Sequence, residues 1–480
     1  MRRRTLLFLI ILCLLTACNP FGGSEPTAVP PTAPPTATLS AAATEAATAT
    51  TAPAVAQATA TAPADNATAT EAAPTEAATG EPTSAAEATG TPSTPVAAAT
   101  IPPATEQQIT KIESEAATVR VLKPKTDVPE YFVSSEQIKE NLKQEIAQDY
   151  PRDQARRDTL ELWLMRFIDD QSLDLLQVQV DLLGEQVLGY YDQDKKDLFV
   201  RNDQQPLSPL AQETLAHEFV HSLQDEYYDL KKLTPRNSHN GDRDSAVTSL
   251  IEGDATISGI LFAQKYMSQA EFQELLKEDS SASTKVLDQV PLYIRESLQF
   301  PYDQGVKFVL ALYQQGGFPR INKAFQDPPT STEQILHPEK YMNSPRDVPK
   351  TVDLVPLTDT LGAGWTMQDT NTLGEFDLDA LLRSNNVTDP EASAGWGGAR
   401  YALYQGNGGA VVLLTTRWDT AKDADEFNAA LTQSLSKATK DGAIWNDNGR
   451  FLGITHTGDQ VVMLSGTEQA AVERALAAVK

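Results

Sequence analysis

His217 and His221 stand four residues apart in the stretch Leu215-Ala216-His217-Glu218-Phe219-Val220-His221-Ser222-Leu223. On a helix, that spacing sends both imidazoles out of one face, where they can grip a single metal ion. Ser208-Pro209 supplies a good N-cap and first-turn residue for such a helix. Glu218 follows the first histidine directly and can reach a metal-bound water as a general base. Zinc favours neutral nitrogen ligands in tetrahedral coordination, and a position kept for water makes a catalytic site. The chain has only 5 histidines, so this pattern should arise by chance in well under roughly one such sequence in a hundred. Ala216, Phe219 and Val220 are uncharged, as a buried helix demands.

Two histidines need a third protein ligand. No further histidine follows at the short spacing of the metzincins, and His239 sits in the polar stretch Asn237-Ser238-His239-Asn240-Gly241, which cannot fix a ligand well. Ser249-Leu250-Ile251-Glu252-Gly253-Asp254-Ala255 instead lies in an amphipathic stretch from about Asp242 to Tyr266, with Leu250, Ile251, Ile257, Leu261 and Phe262 on its apolar face. The interval from His221 to Glu252 suits a loop and an antiparallel return helix. Here the sequence resembles the gluzincins, zinc peptidases with a His-Glu-x-x-His helix and a glutamate ligand on a following helix. Glu252-Gly253-Asp254-Ala255 is similar to the Glu-Gly-x-Ala ligand motif of the aminopeptidase N-like families. The resemblance implies one zinc ion on His217, His221 and Glu252, with Glu218 as base. The thermolysin branch carries an acid four residues after its ligand glutamate. This chain has Thr256 there, which leaves Asp225 and Asp254 as the expected outer support for the ligands.

Pro301-Tyr302-Asp303-Gln304-Gly305 is similar to the gluzincin segment carrying the transition-state tyrosine. It is expected to open a helix with Phe308, Val309, Leu312 and Tyr313 on the core side. Tyr302 then either points its hydroxyl at a developing oxyanion or anchors the helix end by packing, with Tyr266 and Tyr293 as rival donors. Pro328 to Tyr341 is similar to a segment of uncharacterised bacterial gluzincin-like proteins, and His337 within it reads as structural. The resemblance covers about Val187 to Tyr341. It implies a surface-anchored zinc-dependent peptidase that hydrolyses peptide or protein substrates with a metal-activated water. The alternative is a non-catalytic, metal-containing surface lipoprotein acting as a binding or adhesion module. Glu218 separates the two, because a structural site needs the histidines but no base between them.

The elements that must position these residues read as an α+β chain: a mainly helical zincin-like domain over residues 106–347 and a small accessory domain over 348–480. Ser134-Ser135-Glu136 opens a helix with Ile138, Leu142 and Ile146 inward, ended by Pro151. A second helix from about Asp153 carries Leu160, Leu164 and Phe167, and Leu173 to Leu183 continues the bundle. Gln186 to Asp192 and Lys196 to Val200 read as a short β-hairpin just ahead of the histidine helix. An edge strand there would suit an extended substrate. Beyond Val348 the pattern is ββαββα: strands Ala399–Tyr404 and Ala410–Trp418, helix Asp423–Ala438, strands Arg450–His456 and Gln460–Ser465, and a last helix to Lys480. This order implies a small antiparallel sheet covered on one face by two helices, with His456 an ordinary strand residue.

Residues 1–18 look like a lipoprotein leader. Arg2, Arg3 and Arg4 precede an eleven-residue apolar run from Thr5 to Leu15, too short to span a bilayer. Leu15-Thr16-Ala17-Cys18 resembles the bacterial lipobox, which implies lipidation of Cys18 and anchoring to the outer face of the cell membrane. Between Pro31 and Thr100, 54 of 70 residues are Ala, Thr or Pro. Residues 19–105 are therefore expected to form a disordered tether. The only cysteines, Cys13 and Cys18, lie in the leader, so neither folded region can hold a disulfide or a thiolate-bound zinc. The formal charge of −26 repels phosphate backbones and argues against nucleic acid as a partner.

Overall fold

The computed structural model describes residues 102–186, 188–201, 206–235, 238–281 and 285–479. The expected leader with Cys18 and all but the end of the expected tether lie outside them. The fold is mixed α+β.

Helix α1 (Pro103–Arg120) was not anticipated. Its Ile109, Ile112, Ala116 and Val119 recur at intervals of three and four residues and are all buried, a signal legible in the sequence. Strand β1 (Glu130–Val133) pairs in parallel with β3 (Asp197–Arg201), which pairs antiparallel with β2 (Gly189–Asp192). The expected hairpin thus sits in a three-stranded sheet ordered β1-β3-β2. Between β1 and β2 come α2 (Ser135–Asp149), α3 (Arg152–Leu164) and α4 (Leu175–Gln186). As expected, α2 starts on an N-cap: the Ser134 hydroxyl accepts from the Gln137 N–H, and Ile138, Leu142 and Ile146 are buried.

Helix α5 (Pro209–Tyr228) carries the two histidines and begins on Ser208, whose hydroxyl accepts from Ala211 N–H. After the short α6 (Leu230–Leu233), α7 (Gly241–Tyr266) carries Glu252. Gly259 of α7 meets Glu213, and Ile251 meets Gln224, so α7 returns antiparallel to α5. Helices α8 (Gln269–Ser281) and α9 (Lys285–Gln289) lead to α10 (Leu292–Gln326), which kinks at Gly316-Gly317. Pro301 and Tyr302 do not open a helix, contrary to expectation. They lie inside α10, and Ile294, Leu298 and Phe300 before them are already packed.

Two short helices, α11 (Thr332–Leu336) and α12 (Pro338–Met342), occupy the Pro328 to Tyr341 segment. Thr332 donates its N–H and its hydroxyl to Asp242 at the start of α7, both at 2.7 Å. His337 lies 3.0 Å from a Glu375 carboxylate oxygen. The segment is therefore a brace on α7.

After α13 (Thr358–Leu361), a seven-stranded sheet follows: β4 (Thr366–Thr372), β5 (Trp396–Gly406), β6 (Gly409–Trp418), β7 (Thr439–Asp441), β8 (Ile444–Asp447), β9 (Arg450–Thr457) and β10 (Gln460–Gly466). Its order is β4-β5-β6-β10-β9-β8-β7, and every neighbouring pair is antiparallel. The expected ββαββα is present as β5, β6, α15 (Ala421–Ser434), β9, β10 and α16 (Gln469–Ala478). Edge strand β4, helix α14 (Glu375–Ser384) and the β7–β8 hairpin are additions. The two expected helices do not share a face. Leu413, Ala402 and Val411 pack with α16, whereas Tyr401, Leu403 and Val412 pack with α15, α14 and α3. Strands buried on both sides read as continuous apolar runs, and that is how β6 reads.

The described residues pack as one unit, and one core crosses the expected boundary at 347/348. Trp163 and Leu164 of α3 share it with Trp396, Tyr401 and Trp418. Arg450, 1% exposed, donates to the Trp163 and Ile168 carbonyls at 3.0 and 3.2 Å. Arg166 reaches Asp447 at 2.9 Å.

Helices α7 and α10 touch backbone to backbone. A Cβ on Gly253 would stand 2.3 Å from the Gly305 carbonyl oxygen, and one on Gly305 would stand 2.3 Å from that of Ser249. Gly305→Ala should gain about 1 kcal/mol of helix propensity, yet overpacking should make the net loss on the order of 2 kcal/mol. Thermal unfolding checks this: an unchanged or raised Tm would mean that the two helices separate at no cost.

Candidate metal centre

One turn of α5 and the middle of α7 bring three donor atoms together. His217 Nε2 and His221 Nε2 are 3.0 Å apart, and Glu252 Oε2 lies 3.4 Å from each. In a tetrahedral site with bonds of about 2.0–2.1 Å, neighbouring donors stand about 3.3 Å apart, so the three atoms have the spacing of one shared ion. All three residues are buried, and Glu252 Oε2 has no hydrogen-bond partner among the described residues. Leaving such an oxygen unpaired is costly, and a cation held by the triad removes the cost. Two neutral nitrogens and one carboxylate oxygen, with a fourth position left over, make a donor set that fits zinc.

The electrostatics of the triad point the same way. Burial works against a charge on either histidine, but the Glu252 carboxylate overcomes it at His221 and lifts its pKa to about 9. In return, burial would raise Glu252, yet the two imidazoles pull it down to about 2. Burial and the neighbouring imidazole hold His217 below its ordinary range. The Glu252 carboxylate thus favours positive charge beside His221, which a bound cation would supply in place of a proton.

Glu218 is placed differently. Its carboxylate comes within 4.8 Å of a ring nitrogen of each histidine, but its Oε2 accepts the Tyr191 N–H at 2.8 Å. Burial first, and then the Glu252 charge, push its pKa up to about 7, against the pull of His221 and the Tyr191 N–H. A carboxylate poised near neutrality beside the donors has the property a general base needs. Tyr191 belongs to β2, so the outer edge of the hairpin faces Glu218.

The outer support for His221 was only half anticipated. Gln224, one turn on, accepts from His221 Nδ1 at 2.9 Å. Its amide nitrogen donates to the Ile251 carbonyl at 3.0 Å and to Asp254 Oδ2 at 2.8 Å. Two acceptors on that side fix the orientation of the amide. In the neutral form of His221 the hydrogen is thereby assigned to Nδ1, which leaves Nε2 as the nitrogen that a metal would take. Asp254 is held in turn by Arg120 Nε at 2.8 Å, and both side chains are 0% exposed. Asp254 therefore supports the ligands, as expected, but through Gln224. Asp225 does not: it accepts from the Tyr191 hydroxyl at 3.0 Å and the Leu230 N–H at 3.0 Å. Sequence reasoning missed Arg120 and Gln224. Gln224 had a signal in its position, three residues after His221 on the same helix face. Arg120 had none, since only the packing of α1 brings it to Asp254.

Tyr302 is half-buried and lies one turn before Gly305, on the α10 face that meets α7 beside Glu252. The rival Tyr293 is committed elsewhere, stacked on Phe167 at 4.0 Å and donating to Asp377 at 2.8 Å. Tyr266 packs beside Phe262 at the far end of α7. His456 pairs with the Gly458 carbonyl in its β-turn, as an ordinary strand residue would.

Residues 361–476 match a family profile described as a domain of unknown function (DUF8575). The match covers the C-terminal sheet with its helices and none of the metal-centre residues. No curated protein and no solved structure matches the chain.

Replacing Gln224 by Met should cut zinc affinity about 10- to 100-fold and cost the metal-free protein about 1–3 kcal/mol for the buried partners it strands. Arg120→Met should lower the metal-free Tm further, since stranding a buried carboxylate costs about 3–5 kcal/mol. Chelator competition and calorimetry separate the two effects, and equal zinc affinities for wild type and Gln224→Met would dismiss the relay.

Proposed function

We propose that this chain is a zincin-like, zinc-dependent peptidase of the gluzincin type, held at the outer face of the cell membrane by lipid on Cys18. The observation that carries the reading is the position of Glu218, a buried carboxylate beside three converging donors and committed to none of their contacts. A site built only to hold an ion would need His217, His221 and Glu252 and would gain nothing from a buried acid next to them.

When bound, zinc supplies Lewis acidity that activates water for attack at neutral pH. The chain's own residues do the rest. Glu218 accepts the proton that the attacking water loses and can pass it to the leaving amine. The Tyr191 N–H keeps one Glu218 oxygen occupied and so aims the other. Strand β2 offers its outer edge to an extended peptide, whose backbone would add as a further strand. Tyr302 is the proposed hydroxyl donor to the carbonyl oxygen as negative charge grows on it.

Metal analysis beside a casein-type cleavage assay, with and without chelator, is the direct test. Glu218→Gln should keep zinc and fold but lose on the order of 10² to 10⁴ in rate, whereas Glu252→Gln should weaken zinc itself. The reverse pattern, zinc lost with Glu218→Gln and kept with Glu252→Gln, would overturn the assignment.

Tyr302→Phe should lower kcat by about 10² to 10³ with little change in KM or Tm. A near-normal kcat would make Tyr302 a packing residue.

A further inference from the structure

Between the helical part and the C-terminal sheet lies a cavity of about 140 Å³, partly open to solvent. Three carboxylates from three helices line it, Asp158 of α3, Asp244 of α7 and Asp377 of α14, and none of its described lining residues is basic. Asp158 accepts the Tyr150 hydroxyl at 3.0 Å and Asp377 that of Tyr293 at 2.8 Å. Asp244 accepts from Ser238 and, at 3.3 Å, from Arg243. Glu161 and Asp369 bring two further buried carboxylates within 4.8 Å of Asp158. Tyr150, Tyr293, Phe300 and Phe376 supply aromatic walls.

Gln179 of α4 lines the same space. Its amide nitrogen and oxygen are both buried, and neither has a hydrogen-bond partner among the described residues. Leaving a buried amide unpaired costs free energy, so this one is poised for a polar group that enters the cavity.

We propose that the cavity binds a guanidinium or alkylammonium group, carried by a basic side chain of a peptide substrate. Carboxylates without a basic lining residue attract a cation, and aromatic faces favour an organic one. The volume falls well below the ~300–1,000 Å³ of pockets that take whole ligands, so it suits one side chain. Ser245, which also lines the cavity, precedes Glu252 by seven residues on α7. That is a rise of about 10 Å, the length of about three extended residues. A peptide cleaved at the metal centre would thus present a side chain about three positions from the scissile bond. The peptide in this proposal rests on the hydrolase reading; the preference for a cation does not. Asp377 and Leu373 belong to the stretch matched by the family of unknown function, which gives that region a share in substrate recognition.

The test is calorimetric titration of the full-length protein with Nα-acetyl-argininamide and with Nα-acetyl-norleucinamide, before and after zinc is stripped by chelator. The arginine probe should bind saturably and about tenfold more tightly than the norleucine probe, with or without zinc. Gln179→Leu and Asp158→Asn should each weaken it by about tenfold. Gln179→Leu removes an unpaired polar group, so the fold should survive and the loss should be specific to binding. Equal affinity for the two probes, or unchanged affinity in both variants, would overturn the proposal. So would calcium binding at these carboxylates with no response to the arginine probe. Argininamide binding that persists where no zinc and no hydrolysis are found would uphold the cation site and sink only the peptidase reading.

Discussion

Arg120 and Asp254 face each other at 2.8 Å with neither side chain exposed, and the candidate metal centre depends on that pair. Taking two charges out of water costs several kcal/mol per ion, so such a pair adds little net stability and earns its place through what it orients. Here it orients a great deal. Arg120 ends α1, Asp254 sits mid-way along α7, and Gln224 carries the contact to α5 and His221. The guanidinium also stacks 4.8 Å from the Phe318 ring of α10. Four helices therefore converge on one charge pair, and their register sets where the donor atoms stand.

The opposite side of α7 is held by shape. Gly253 and Gly305 bring two helix backbones into contact, an approach that any Cβ would prevent. Glu252 thus sits between a polar clamp toward α5 and a steric one toward α10, and its carboxylate has little freedom to move. The brace at Asp242 and Thr332 fixes the start of the same helix. Preorganisation of this kind suits donors that must present an unpaired oxygen and two lone pairs to one point. The C-terminal sheet is part of the same construction, because Arg450, Arg166 and Tyr401 tie it to α3. A cavity lined from both sides follows from that shared core.

Some of this was written locally. Histidines four apart on a helix share a face whatever surrounds them, and Ser208 caps that helix through a contact only three residues long. The start of α2, the short hairpin and the antiparallel return of α7 followed from residues close in sequence; that Glu252 joins the histidines was instead what the resemblance to the gluzincins implied. The run of α1 is equally local, with Ile109, Ile112, Ala116 and Val119 at helical spacing.

Tertiary structure decided the rest. Arg120 and Asp254 are separated by 134 residues, and no periodicity links them; their meeting is a product of packing. Edge strand β4, polar along most of its length, is a strand only because β5 offers it a ladder. Whether α15 and α16 share a face of the sheet depends on what else needs covering, and α3 and α14 claim one side. Tyr302 sits mid-helix because the turns before it find apolar partners in Phe376 and the α3 core. Short-range spacing determines which side chains point the same way, while long-range burial determines what they point at. The sequence alone could therefore name His217, His221 and Glu252 as candidate donors and Asp254 as a support, but not Arg120 and Gln224, which connect them.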